Sequence, residues 1–168
     1  PPMPEVVARG RKPDVFACGW CHRADGPGGP ENANLMGLPY AYFVQQMKDF
    51  RSGDRKTSIA KRAPTALMIA GSKTISDAEI DEAARYFSSL KPRTNRRVVE
   101  TPLVPKTTVD GWVLVDTGTG EKEPIGQRII EVPEKPVDFE SRDSRARFIV
   151  YAPPGSVSRG MELVRTGA

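Results

Sequence analysis

The chain of 168 residues holds one histidine, His22, and two cysteines, Cys18 and Cys21. Three such residues cannot build a four-ligand Cys/His zinc centre without carboxylate help. Two cysteines allow no more than one disulfide bridge. Any nucleophilic mechanism that depends on histidine would have to use His22. No apolar run approaches the length of a membrane-spanning helix. Pro1-Pro2-Met3 is not followed by an apolar stretch behind basic residues, so no export signal is visible; a mature or trimmed N-terminus would look the same. Net charge is only +4, without the dense basic clusters that nucleic acid demands. Turn formers are plentiful, with 16 prolines and 15 glycines, and apolar residues make up a thin 38%.

The scarce residues fall together in one pentapeptide, Cys18-Gly19-Trp20-Cys21-His22. C-x-x-C-H is the signal for covalent c-type haem attachment. Two thiols at this spacing add across the two vinyl groups of the porphyrin. The histidine that follows then lies under the iron as its proximal ligand. A thioredoxin-like dithiol is the competing reading and would need a helix running on from the motif. Instead a turn-rich stretch follows, Arg23-Ala24-Asp25-Gly26-Pro27-Gly28-Gly29-Pro30.

With His22 used, no second histidine exists for the opposite face of the iron, which leaves methionine. There are five: Met3, Met36, Met47, Met68 and Met161. Met3 and Met161 lie near the termini. Met47 belongs to an apolar helix stripe with Tyr40, Phe43, Val44 and Phe50. Met36 is too few residues past His22 to pass easily around the porphyrin edge. Met68 is expected on a loop between two helices, from which a thioether can reach the distal face. It is the first choice, with Met47 and Met36 as alternatives.

Periodicity predicts a short helix within residues 5–17, a loop over 23–38 and a helix over 39–52 that Pro39 opens and Gly53 ends. A second clear helix is predicted over 76–90, with Ser76 and Glu79 as a capping box and Pro92 as its stop. Between them the stretch Lys48–Arg62 carries six basic and two acidic residues. Past Pro92 the pattern changes to short β-type runs, around residues 98–99, 112–115, 128–132 and 148–151, punctuated by proline and glycine. Residues 93–168 are therefore expected to be an irregular, Pro-rich extension with short strands, a wrap or a linker. Glu140 and Asp143 read as solvated surface charges, and no catalytic constellation is visible there.

The motif, the run Leu35-Met36-Gly37-Leu38-Pro39-Tyr40 through Gln45-Gln46-Met47-Lys48-Asp49-Phe50-Arg51-Ser52-Gly53, and Ser76-Asp77-Ala78-Glu79-Ile80 with Ala83-Ala84-Arg85-Tyr86-Phe87 together resemble the class I cytochrome c family. The likeness is strongest to one haem domain of bacterial tandem two-haem cytochromes and covers about residues 5–91. It implies a mainly α fold: a small helical haem domain over residues 1–92, followed by the extension over 93–168. It places Met68 where the family's axial methionine stands, and it implies that a loop proline, Pro30 or Pro27, offers its carbonyl to the proximal imidazole. It also implies an electron-transfer protein rather than an enzyme, with one covalent haem c held by Cys18, Cys21, His22 and Met68. The expected location is periplasmic, and the expected partners are redox proteins with an acidic surface facing the Lys48–Arg62 stretch. Two other readings stay open: a haem module of a larger dehydrogenase complex, and a haem peroxidase or ligand sensor with a displaceable sixth ligand. Residues 157–168 resemble the helix that leads into a haem motif in tandem cytochromes. The expectation is a second haem domain beyond Ala168, with Met161 and Leu163 partly exposed; an ordinary helical C-terminus is the alternative.

Overall fold

Apolar residues three and four apart build the frame of the first half of the chain. In the computed structural model, which describes residues 2–59 and 62–167, residues 1–93 and 94–168 form two separate compact units. The first begins with α1 (Glu5–Ala8) and a two-stranded hairpin, β1 (Gly10–Arg11) and β2 (Val15–Phe16). The haem motif follows as α2 (Cys18–His22), and a long loop leads to α3 (Tyr40–Ser52), α4 (Ala63–Thr74) and α5 (Asp77–Ser89). Helix α5 starts as predicted: the Glu79 amide donates to Ser76 Oγ and the Ser76 amide to the Glu79 carboxylate, at 3.2 and 2.8 Å. Its buried stripe of Ile80, Ala83, Ala84 and Phe87 meets Phe43 from α3 and Val6 and Val7 from α1. Phe87 is wholly buried; its ring stacks on Phe43 at 5.9 Å and meets Tyr86 edge-on at 5.2 Å. Burial of one such ring is worth about 1.5–3 kcal/mol.

One expectation is corrected here. Residues 66–71 do not form a loop; they lie inside α4. Pro64 sits in the first turn of α4, where its missing N–H costs nothing, and helix formers such as Ala66, Leu67 and Met68 follow. The helix runs until the Ile75 amide closes on the Gly71 carbonyl, and Ser76 immediately caps the next one. Only Ser72 of α4 is buried.

The second unit is built mostly from strands. β3 (Arg96–Glu100) lies parallel to β9 (Phe148–Ala152), and β8 (Ile130–Pro133) runs antiparallel on the other side of β9. The intervening chain makes two nested antiparallel ladders, β4 (Leu103–Pro105) with β7 (Lys122–Pro124) and β5 (Thr107–Asp110) with β6 (Val113–Asp116). Proline ends β4, β7 and β8, where the ladder no longer needs its amide. Val104, Ile125, Ile130 and Val132 are buried together, with Leu114, Ile149 and Tyr151 packed against them. Two helices complete the unit, α6 (Pro136–Glu140) and α7 (Ser156–Thr166). Each of the four β-type runs overlaps a strand, with Trp112 left in the turn before β6 and Arg128 and Ile129 ahead of β8, and residues 94–168 have a buried core of their own. The reason is the parallel β3–β9 pairing, which joins the two ends of the segment and which local pattern does not reveal. Helix α7 buries none of its side chains; Met161 and Leu163 are 69% and 57% exposed.

Candidate haem-binding site

The pentapeptide coils into a single helical turn, so Cys18, Cys21 and His22 share one short element. Arg23, at φ +67°, ends the helix at once. A side chain at Gly19 would put its Cβ 2.8 Å from the Val7 carbonyl, so α1 can cross α2 this closely only over glycine. Cys18 and Cys21 are thiols, not a disulfide. Burial pushes the Cys18 thiol up to about 12, the opposite of the depressed value that a redox-active dithiol needs. With the helix ending after one turn, the thioredoxin-like reading has neither its geometry nor its chemistry.

His22 is buried, and its Nδ1 lies 2.8 Å from the Ala33 carbonyl oxygen. A carbonyl only accepts, so Nδ1 carries the proton and donates. The Nε2 lone pair is then the one available to a metal, as in a metal-binding imidazole whose other nitrogen donates to a carbonyl. Burial also holds the imidazole below the ordinary histidine range, which keeps it neutral. The carbonyl belongs to Ala33, not to Pro30 or Pro27. The loop folds so that Asn32 and Gly29 pair with each other, the Gly28 amide donates to the His22 carbonyl at 3.0 Å, and Asn32 Nδ2 donates to the Cys21 carbonyl at 3.0 Å. These bonds bring the carbonyl of residue 33 to the ring edge, opposite Nδ1. Gly28 makes the fold possible: it has φ +66°, and a Cβ there would lie 2.5 Å from the Ala33 oxygen. On its far side the loop is tied to α5, through Tyr86 Oη donating to the Ala24 carbonyl at 2.9 Å and the Gly37 amide donating to the Phe87 carbonyl at 2.9 Å.

Met68 stands on a different element, α4, and is partly buried. The other methionines have other places. Met36 is buried, near the position a Gly26 Cβ would take against Phe87. Met47 packs on the core cluster. Met3 and Met161 are exposed. The basic stretch is not uniform either. Arg51 is committed inward: its Nε donates to the Ser72 carbonyl at 2.8 Å, its Nη2 to the Ile75 carbonyl at 2.8 Å and its Nη1 to Asp77 at 2.7 Å. Arg55 lies over the Phe50 ring at 5.0 Å. Lys61 lies outside the described residues. Among the described residues no three His, Cys, Asp or Glu side chains gather into a metal cluster, and no helix is long and apolar enough to cross a membrane. Sequence reasoning missed Ala33 and Arg51. Ala33 contributes only its backbone, and nothing in a sequence marks that. Arg51 reads in the sequence as one more charge of the basic stretch, because two of its three partners are backbone carbonyls.

A two-thiol helical turn followed by a buried, carbonyl-oriented imidazole is the donor set that covalent attachment of a c-type haem requires. Two curated proteins are similar to this chain. The chain is 34% identical over 82 residues to the thiosulfate dehydrogenase electron acceptor of Thiomonas intermedia, covering 48% of this chain and 34% of that protein. It is 32% identical over 76 residues to cytochrome c-552 of Acidithiobacillus ferridurans, covering 45% and 30% respectively. The chain thus spans about a third of the length of the curated relatives it matches. Among solved structures it is similar to thiosulfate dehydrogenase (TsdBA) of Marichromatium purpuratum, with a TM-score of 0.47, 28% identity, and coverage of 56% of this chain and 19% of that one. No protein-family model matches. The resemblance to cytochromes c is borne out by these relatives.

Proposed function

We propose that this chain is an electron carrier with one covalent haem c in residues 1–92, attached through Cys18 and Cys21 and bound axially by His22 and Met68. The observation that carries the reading is His22 itself: buried, neutral, its Nδ1 proton engaged by Ala33 at 2.8 Å, and directly following two thiols on one turn. The donor set fits the group. Haem c, when bound, supplies a one-electron Fe(III)/Fe(II) couple. The chain's part is to hold the ligands through both states. The Ala33 carbonyl fixes the imidazole tautomer and ring angle, and the Gly28 turn fixes Ala33. Of the three methionines between the haem motif and α5, Met68 is the one without a core role, since Met36 and Met47 are used in packing and Met3 and Met161 are exposed. Haem iron held by both His22 and Met68 would leave oxygen and small substrates no open site. This favours a carrier over a peroxidase or ligand sensor.

The electron source is proposed to be a dehydrogenase, since one relative is named as the electron acceptor of such an enzyme. Residues 94–168 are proposed as a module that accompanies the haem domain toward such a partner. Exposed Lys48, Lys56 and Arg62 remain as steering charges for an acidic surface. Haem c attachment takes place outside the cytoplasm, so the proposed location is the periplasm. The test is the absorption spectrum of the oxidised and reduced haem protein, for wild type and Met68→Ala. The expected result is a far-red Met–Fe(III) band in the wild type that Met68→Ala abolishes, together with a lowered reduction potential. A high-spin ferric wild-type spectrum would favour the peroxidase or sensor. Loss of the band in Met36→Ala or Met47→Ala instead would reassign the ligand.

A further inference from the structure

Helix α4 is held in place in an unusual way. It carries Ala63, Ala66, Leu67, Met68, Ile69 and Ala70, yet Leu67 is 47% exposed and only Ser72 is buried. Its C-terminal end is gripped by two arginines. Arg51, from α3, donates to the Ser72 and Ile75 carbonyls, each at 2.8 Å, and to Asp77 at 2.7 Å. Arg11, from β1, donates to the Thr74 carbonyl at 3.0 Å and to Glu79 at 2.9 Å. Thr74 Oγ1 donates to the Asp14 carbonyl at 2.7 Å. The last turn of a helix leaves carbonyls without intrahelical partners, and a guanidinium is suited to them by charge and by its planar fork of donors. Both arginines also hold an acid in the first turn of α5, so they lock the α4–α5 junction from two sides.

We infer that Arg51, with Arg11 as its counterpart, is a positioning residue for the sixth iron ligand: it fixes the helix that carries Met68 one turn before the gripped carbonyls. The inference rests on the proposed Met68 ligation. Met68 is separated from Ser72 by one helical turn, so a shift or tilt of the gripped end is passed along the α4 axis to the thioether. Lysine at position 51 keeps the charge but offers a point donor instead of a fork, and cannot reach two carbonyls and a carboxylate at once. Met68 is then held less firmly, and an added ligand competes with it more easily.

The experiment titrates imidazole into the oxidised haem-bearing full chain and follows the far-red Met–Fe(III) band. Circular dichroism and covalent haem content are measured alongside. Arg51→Lys and Arg51→Gln are expected to bind imidazole about tenfold more tightly than wild type, on the scale of one lost charge-assisted hydrogen bond, with Arg51→Lys closer to wild type. Asp77→Asn, which removes one of Arg51's three partners, is expected to shift affinity in the same direction by less. Ile80→Val, a core trimming in the same unit, is expected to leave imidazole affinity unchanged. Wild-type affinity in both Arg51 variants overturns the inference, as does an equal shift in Ile80→Val, which would mean general loosening. Should the Arg51 variants fail to hold haem, Asp77→Asn decides, and an unchanged affinity there overturns it. If Met68→Ala keeps the far-red band, the ligation reading itself fails and this inference with it. If Met68→Ala loses the band while the Arg51 variants behave as wild type, only the positioning role fails.

Discussion

The two halves of this chain spend their apolar residues differently. In residues 94–168 the buried side chains and the ladders coincide: Ile130 and Val132 on β8, Phe148 on β9 and Val104 on β4 are at once strand residues and core. In residues 1–93 the core joins α1, α3 and α5, while the parts that carry chemistry lie largely outside it. The 23–38 loop is fixed by backbone hydrogen bonds and α4 by arginines on its carbonyls. A site that must accommodate a large flat cofactor cannot fill its own space with side chains. Polar bonds with fixed directions can hold such elements in place without filling that space.

The sharpest way to break the comparison is to remove one central ring from each half. Phe87→Ala should cost about 3–5 kcal/mol, as expected for a wholly buried aromatic. Phe148→Ala, equally buried and edge-on to Phe139 at 6.2 Å, should cost a similar amount. Urea unfolding followed by the haem band, and by Trp112 in a Trp20→Phe background, should show the first change in the haem signal and the second in the tryptophan signal. A common transition for both variants would contradict the division into two units.

A smaller effect is expected at the loop. Gly28→Ala forces a side chain into the left-handed region and against the Ala33 carbonyl. It should cost about 1–3 kcal/mol and move the reduction potential, because the imidazole loses its fixed acceptor. No glycine of the second unit has a neighbour so close except Gly155, so Gly126→Ala, which meets nothing within 4 Å, should show only the backbone cost. Potentiometry alongside thermal melting tests the pair.

Ser76→Ala should cost about 1 kcal/mol by removing the cap of α5, read from the haem-monitored melt. Least of all is the acid dependence of Glu79. The Arg11 guanidinium, then Ser76, holds its carboxyl down to about 2 from an ordinary 4.5. A depressed folded value means that its stabilisation is complete above about pH 4.5 and is lost as pH falls toward 2. Glu79→Gln should therefore lower the unfolding midpoint slightly at neutral pH and flatten that acid limb of the stability curve.

Much of the first unit was legible because its signals are local. The helix over 39–52 appears as α3 (Tyr40–Ser52), and the capping box at Ser76 opens α5 as expected. The capping chemistry needs only residues three apart, and the buried stripe of α5 follows from a period that any helix imposes. Helix α4 was misread because position between two helices suggested a loop, while intrinsic propensity favoured continuation up to Ile75.

By itself the sequence narrowed the chemistry open to the motif, since two cysteines and a single histidine at C-x-x-C-H spacing leave few uses. It also determined the two strong helices and the presence of strands after residue 93. Only the tertiary structure decided which carbonyl meets His22, what holds α4, and that β3 pairs with β9 to close a second core. Each of these joins atoms distant along the chain, and all three use backbone carbonyls, which every residue carries alike. A contact made by an atom common to all twenty amino acids leaves no trace in their order.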